Sequence, residues 1–295
     1  MNLVEWFVAK SKKPPSFKKG VNEKGRVIFK PNRSIRLAGG RLLGYLNKNY
    51  SPRFFYHATG GVKGKSVMNH ILPHKKKRFL WVTDIKNCFP SIQLDRLCDV
   101  ICRQIYDLEE EREDFLNFLQ CYCSTDGQSL AIGFPASTLL ANIYLNELVD
   151  IPLIKLIHQR GYGLRFTHYL DDYVFSSPLH PIGRAKTKAL REVFEKAGFK
   201  LNDRKTRYVD LRKEKCIEIT GVAVHYGGKT GLPGKERRKI KGLIHLAQQG
   251  RISPYVIHGH MTWFYYITGG YYTNQERNLQ NLYRIFLGQV KLTER

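Results

Sequence analysis

The chain has 295 residues, 42% hydrophobic and 12% aromatic, which is enough for a large core shared by two or three lobes and excludes broad disorder. Against 25 Asp and Glu stand 49 Lys and Arg, a formal net charge of +24, with basic residues recurring from Lys10 to Lys291. A fold this basic repels itself unless a polyanion is near, so nucleic acid is the expected partner and an anionic membrane surface the rival; no run of about 18 apolar residues exists to cross a bilayer.

Residues 1–24 read as a basic segment that lacks the n-region and cleavage site of a secretory signal, so a cytoplasmic location is expected. RLLGYLNKNY then has helical spacing, and FFYHATGGVKGKSV places a Gly-Gly turn beside Lys63 and Lys65. FLWVTDI (79–85) is a short apolar, β-branched run typical of a buried strand. From Asp95 to Gln120, Leu97, Ile101, Ile105, Leu108, Phe115 and Leu119 recur at helical spacing, and residues 137–161 read as one long helix that Gly161 ends. GLRFTHYLDDYVFSS reads as two strands joined by a tight turn, AKTKALREVFEKAG as a helix with a Gly stop, and CIEITGVAVHYGGKTG as a strand pair ended by a Gly-Gly turn. A basic helix from Pro233, the aromatic stretch HMTWFYYITGGYY and a last helix complete the chain. This order predicts an α+β core over residues 25–230 and a smaller helical domain over 231–295. The six cysteines are expected as reduced thiols, since Cys121 and Cys123 have no second Cys or His pair at zinc spacing.

Charge in the strands is the informative irregularity. A carboxylate bounded by apolar residues must be paired, solvated at an edge or bound to a cation. Asp171 and Asp172 stand adjacent inside HYLDDYVF, where a hairpin turn lets both reach one ion; Asp is also an ordinary turn residue, so the pair alone decides little. Asp84, at the end of FLWVTD, repeats the pattern. Two such strand ends brought together supply three carboxylates for two hard divalent cations, the equipment of in-line nucleotidyl transfer.

D-x-x-x-x-F (Asp84 to Phe89), a small-residue helix opening and Tyr169-Leu170-Asp171-Asp172 together resemble the palm of a reverse transcriptase. The resemblance implies a right-hand polymerase of fingers, palm and thumb, with an antiparallel palm sheet carrying catalytic Asp84, Asp171 and Asp172 and a helical thumb. It implies RNA-directed DNA synthesis from dNTPs with two Mg²⁺ ions held by Asp84, Ile85, Asp171 and Asp172, Asp84 and Asp171 bridging both. Phe89 matches the ring that excludes the ribose 2′-OH, which disfavours an RNA-making polymerase. QSLAIGFPASTLLANIYLNEL resembles the template-gripping segment through Gly133, Ala136 and Ser137, but has Ala131-Ile132-Gly133 where many relatives have Pro-Gln-Gly. GFKLNDRKTRYV points to Lys205 near the triphosphate, and Lys63 and Lys65 could cradle phosphates.

Two elements resemble the retron class of bacterial reverse transcriptases. In HILPHKKKRFL, His74 fits the class, although His70 and Ile71 stand where Asn and Ala are expected; Ile219-Thr220-Gly221 resembles a V-T-G element. That class copies part of a structured non-coding RNA, priming from a 2′-OH to give branched RNA–DNA (msDNA), and implies an effector protein in anti-phage defence. Diversity-generating and other phage-defence reverse transcriptases are the alternative, and an RNA-binding scaffold with an inactive core is the rival from another class. In KERRKIKGLIH, Lys235, Arg237, Arg238, Lys239 and Lys241 form a basic face for RNA opposite Ile240, Leu243, Ile244 and Leu246. Trp263, Tyr265, Tyr266, Tyr271 and Tyr272 could stack bases, with Trp263 and Phe264 expected in the core.

Overall fold

The computed structural model describes residues 16–21, 27–50, 55–105, 108–270 and 272–293. Most of the basic segment expected over 1–24, and Tyr271, lie outside them. The chain divides into two compact units, one of Met1–His70, Trp81–Phe175 and Ile182–Arg207, the other of Ile71–Leu80, Ser176–Pro181 and Tyr208–Arg295.

The first unit begins with the hairpin β1 (Phe17–Val21) and β2 (Val27–Pro31). Helix α1 (Arg33–Asn49) starts where the Asn32 side chain accepts a hydrogen bond from the Ile35 N–H at 2.9 Å, an N-cap that satisfies one orphan donor. It buries Ile35, Ala38, Leu42 and Leu46. After the short α2 (Val67–Ile71) comes β3 (Phe79–Asp84), then α3 (Cys88–Ser91) and α4 (Leu94–Cys102). The helical spacing from Asp95 to Gln120 belongs to two helices rather than one: α4 ends at Cys102 and α5 runs Arg112–Tyr122. Arg112 explains the return, since its guanidinium binds Asp95 at 2.6 Å and Asp99 at 2.7 Å on α4.

The helix expected over 137–161 is α6 (Ser137–Leu145), a π-helical turn at Asn146–Asp150 and α7 (Ile151–Gln159). Strands β4 (Arg165–Tyr169) and β5 (Asp172–Ser177) follow, then α8 (Arg184–Lys196), which Gly198 at φ +87° terminates. With β6 (Arg207–Asp210) they make a four-stranded sheet in the order β4-β5-β3-β6. Phe175 packs on Trp81 at 4.9 Å between ring centroids, and Phe194 meets Tyr173 edge-on at 4.9 Å. All four are fully buried, each contributing about 1.5–3 kcal/mol from burial alone.

In the second unit, α9 (Leu211–Glu214) leads to a three-stranded sheet, β7 (Cys216–Ile219), β8 (Val222–His225) and β9 (Thr230–Gly231), one strand more than the expected pair. Helices α10 (Gly234–Gln248), α11 (Pro254–Thr268) and α12 (Asn274–Thr293) complete it. The aromatic stretch is therefore helical as far as Thr268, in a helix opened by a Ser253 cap and closed by Gly269 at φ +57°. No helix among the described residues is long and apolar enough to cross a membrane.

Candidate active site

Strand order brings the carboxylates together. Asp84 is the last residue of β3, Asp172 the first of the neighbouring β5, and Asp171 lies in the turn that joins β4 to β5. The two strand ends are tied by the Ile85 N–H, which donates to the Asp171 carbonyl at 2.9 Å. Leu170 takes φ +56° in that turn, a left-handed conformation that costs a branched residue about 1–2 kcal/mol. It persists because its surroundings hold it: a Cβ on Gly60 would come within 2.8 Å of the Leu170 nitrogen, so only glycine permits this approach.

Asp84 is buried, 5% exposed, and is not left unpaired. Lys205 donates to Oδ1 at 2.7 Å, Asn202 Nδ2 to Oδ2 at 3.3 Å, and the Asn202 N–H to the Asp84 carbonyl at 2.8 Å. That hydrogen bond to Asp84 raises the Lys205 ammonium above its usual range. Burial, then the charges of Asp171 and Asp84, push the Asp172 carboxyl up to about 6, with Lys205 acting in the opposite sense. Three carboxyl groups are thus close enough to repel. Among the described residues no group of three Asp, Glu, His or Cys side chains is arranged to hold a metal ion, and the ammonium of Lys205 rests on Asp84. The donor chemistry nevertheless fits a hard divalent cation: all-oxygen, anionic and crowded, so that a cation would relieve the repulsion. The Ile85 side chain is buried and apolar, leaving only its backbone to face such an ion.

The other residues singled out by the sequence are distributed unevenly. Phe89 is half-buried on α3, just beyond Asn87, whose φ of +51° turns the chain after β3. Gly133 is exposed at φ +89° in the loop before α6, with Ile132 43% exposed beside it; Ala136 and Ser137 are buried at the helix start. Lys63 is exposed. Lys65 instead turns back on its own loop, donating to the carbonyls of Phe55, of Tyr56 at 3.1 Å and of Ala58 at 2.9 Å, and burial lowers its pKa.

In the second unit, His74 is fully buried and its Nδ1 meets Ser176 Oγ at 2.7 Å. Ile219 is buried at the end of β7, and Thr220 and Gly221, at φ +44° and +78°, make the turn into β8. On α10, Arg237, Arg238 and Lys241 line a cavity of about 260 Å³ with Gly234 and Gln275. Arg237 is fixed there by the Leu232 carbonyl at 2.6 Å and Gln275 at 2.8 Å. Lys235 and Lys239 are exposed on the same helix, while Ile240 and Ile244 are fully buried. Phe264 is core as expected; Trp263 is only half-buried, packing 5.8 Å from the exposed Tyr266.

Several residues about the turn are not singled out by the sequence. Asn142 on α6 donates to the Gly60 carbonyl at 2.9 Å, and Asn202 holds Asp84. Asp150, His168 and Tyr173 form a buried polar chain directly behind Leu170. Asp150 had one readable clue, a carboxylate inside an apolar helix pattern.

The sequence profile of the family described as "Reverse transcriptase (RNA-dependent DNA polymerase)" matches residues 18–224. Among characterised proteins, the chain is 28% identical over 235 residues to a retron Mx65 reverse transcriptase of Myxococcus xanthus, covering 75% of this chain and 52% of that protein. It is 24% identical to a retron Ec73 reverse transcriptase of Escherichia coli (82% and 79% covered) and 27% identical to a retron Ec86 reverse transcriptase of the same species (77% and 67%). The match thus spans about half the length of the Myxococcus relative. Among solved structures, telomerase from Candida albicans in complex with a fragment of telomeric RNA shares the fold, with a TM-score of 0.55 at 12% identity over 98% of this chain and 59% of that one. With a profile match over residues 18–224, most of its length, this chain belongs to the reverse transcriptase family.

Proposed function

We propose that the chain is an RNA-directed DNA polymerase that copies part of a structured non-coding RNA into DNA, and that it does so as a retron component making branched RNA–DNA in anti-phage defence. The observation that carries the polymerase reading is the convergence of Asp84, Asp171 and Asp172 at adjoining strand ends, with Lys205 beside them. Likeness to three retron enzymes supports the finer reading. Asp84, Asp171 and Asp172 would hold two Mg²⁺ ions, which when bound lower the pKa of a primer hydroxyl and neutralise charge on the reacting phosphate. Lys205, 54% exposed, is placed to leave Asp84 for the anionic tail of a dNTP.

Phe89 acts by shape. A rigid ring against the sugar rejects one extra hydroxyl, so Phe89→Ala is expected to raise rNTP use relative to dNTP use by about 10- to 100-fold, read as the ratio of kcat/KM values. An unchanged ratio removes Phe89 from nucleotide selection. On α10 the cations contact phosphate rather than bases, so Arg238→Ala and Lys241→Ala are each expected to weaken RNA binding irrespective of sequence. Each also lowers the salt slope of that binding by about 1, measured by filter binding across a salt series. Unaltered slopes place the RNA elsewhere.

The test of the whole reading is to express the gene with its native flanking DNA, purify the protein and run its nucleic acid on a denaturing gel before and after RNase and DNase. Short DNA joined to RNA through a 2′–5′ linkage is the expected result. Linear, mutation-laden cDNA favours a diversity-generating enzyme, a reading that Ile132 in place of the usual Gln supports. RNA without DNA, and no dNTP incorporation in vitro, leaves a binding scaffold. Phage protection that survives deletion of the non-coding RNA sinks the defence role.

A further inference from the structure

The geometry points to Asp150 and His168 as positioning residues that hold the Leu170–Asp171 turn in register for divalent-cation binding by Asp171 and Asp172; the inference rests on the metal reading of those carboxylates. Asp150 and His168 are 1% and 0% exposed. A carboxylate so deep in an apolar interior must be partnered. Asp150 has two partners: His168 Nε2 lies 3.0 Å from Oδ2, and the Tyr173 hydroxyl donates to Oδ1 at 3.1 Å.

Hydrogen-bond accounting fixes the ring. His168 Nδ1 lies 2.9 Å from the Leu170 carbonyl, and a carbonyl only accepts, so Nδ1 carries a hydrogen. A further proton must then lie between Nε2 and Oδ2, because without it two lone-pair groups would face each other at 3.0 Å in the interior. Asp150 thereby keeps the ring oriented as a donor to the turn, as carboxylates do for histidines that ligate metals. The ring is also stacked on Tyr173 at 4.6 Å and 10°, which removes its freedom to swing.

What the ring holds is a strained backbone. Leu170 at φ +56° does not stay left-handed by its own preference, and its carbonyl is the atom that His168 grips. The same histidine is anchored on its other side, since the His168 carbonyl accepts from the Thr59 N–H at 2.9 Å and from Thr59 Oγ1 at 2.7 Å, and its N–H donates to the His57 carbonyl at 3.0 Å. Asp150 is the last residue of the π-helical turn that interrupts the long helix, an irregularity frequent at functional sites. The chain of contacts runs from that turn through an imidazole to the backbone between Tyr169 and Asp171.

Three variants test this. Asp150→Asn keeps the chain intact, because a carboxamide can donate to Nε2 and accept from Tyr173, and it is expected to behave within about threefold of wild type. Asp150→Leu, His168→Phe and Tyr173→Phe combined remove every polar side chain of the network, leave no buried charge and keep the core filled, while the Leu170 carbonyl loses its donor. That triple variant is expected to bind Mn²⁺ about tenfold more weakly, read from free Mn²⁺ by electron paramagnetic resonance, and to lose at least about tenfold in kcat with KM for dNTP little changed. If it does not fold, His168→Gln, which can serve one acceptor but not both, is read in the same way.

Wild-type Mn²⁺ affinity and kcat in the folded triple variant, or in His168→Gln, would show the network to be core packing and overturn the inference. So would an Asp150→Asn chain as impaired as the triple variant, since charge rather than hydrogen-bond geometry would then be at work. A wild-type chain that binds Mn²⁺ yet incorporates no dNTP sinks the polymerase reading alone, and the Mn²⁺ comparison still decides this one.

Discussion

Asp84→Asn and Asp171→Asn are each expected to lower RNA-templated dNTP incorporation by about a thousandfold or more, with far-UV circular dichroism unchanged. The exchange is isosteric, and the backbone bonds that tie β3 to the turn, Ile85 N–H to the Asp171 carbonyl and Asn202 N–H to the Asp84 carbonyl, involve neither side chain. On the proposed function, what is lost is an anionic oxygen at a strand end where two cations and a triphosphate would meet, worth several kcal/mol of transition-state stabilisation. Asp84→Asn also frees Lys205 from its ion pair, but with Lys205 54% exposed that pair contributes less than about 1 kcal/mol. Primer extension with radiolabelled dNTP on an RNA template measures the loss. Retention of more than about a tenth of the wild-type rate by either variant would remove that carboxylate from the catalytic set.

The parts of this site that could be read from sequence are those in which chemistry interrupts a pattern. Acidic residues break two apolar strands at Asp84 and at Asp171-Asp172, and a strand's limited length forces the break to be a strand end. Hairpin β4–β5 was legible for the same reason. Periodicity showed helix but not where it breaks: apolar spacing runs on from Asp95 to Gln120, while Arg112 folds the chain back on Asp95 and Asp99. It was blind to what long or buried side chains do. Lys65 stands in a Gly-Lys loop that suggests phosphate, yet its stem is long enough to return its ammonium to three carbonyls of the same loop. Asp150 and His168 looked like one polar residue in a helix and one in a strand; only the fold shows them meeting behind Leu170. Gly61 illustrates the converse, since Gly-Gly was legible as a turn while its reason was not: a Cβ there would strike Thr138 on α6.

The carboxylate cluster should also be visible in stability. With the Asp172 carboxyl pushed up to about 6 from an ordinary 3.8, the folded chain binds that proton more tightly than the unfolded chain. Stability from this group is therefore undiminished below pH 3.8, falls as pH rises between 3.8 and about 6, and is lowered by a constant amount above that. The rise from 3.8 to about 6 bounds this loss at about 3 kcal/mol, and solvent screening at a half-buried site leaves about 1–2 kcal/mol. Asp172→Asn removes the charge. In chelator at pH 8 the variant is expected to melt about 2–6 °C above the wild type, the gap closing as pH is brought down to 4. Saturating Mg²⁺ should reverse the order, because the cation stabilises the chain that binds it more tightly, and the variant should lose most of its polymerase activity. A variant no more stable than wild type in chelator at pH 8 would mean that Asp84, Asp171 and Asp172 do not crowd one another, and would withdraw the strongest physical reason for a cation at these strand ends. A gain in stability coupled to a loss of activity is what a site held under electrostatic strain for its ligand must show.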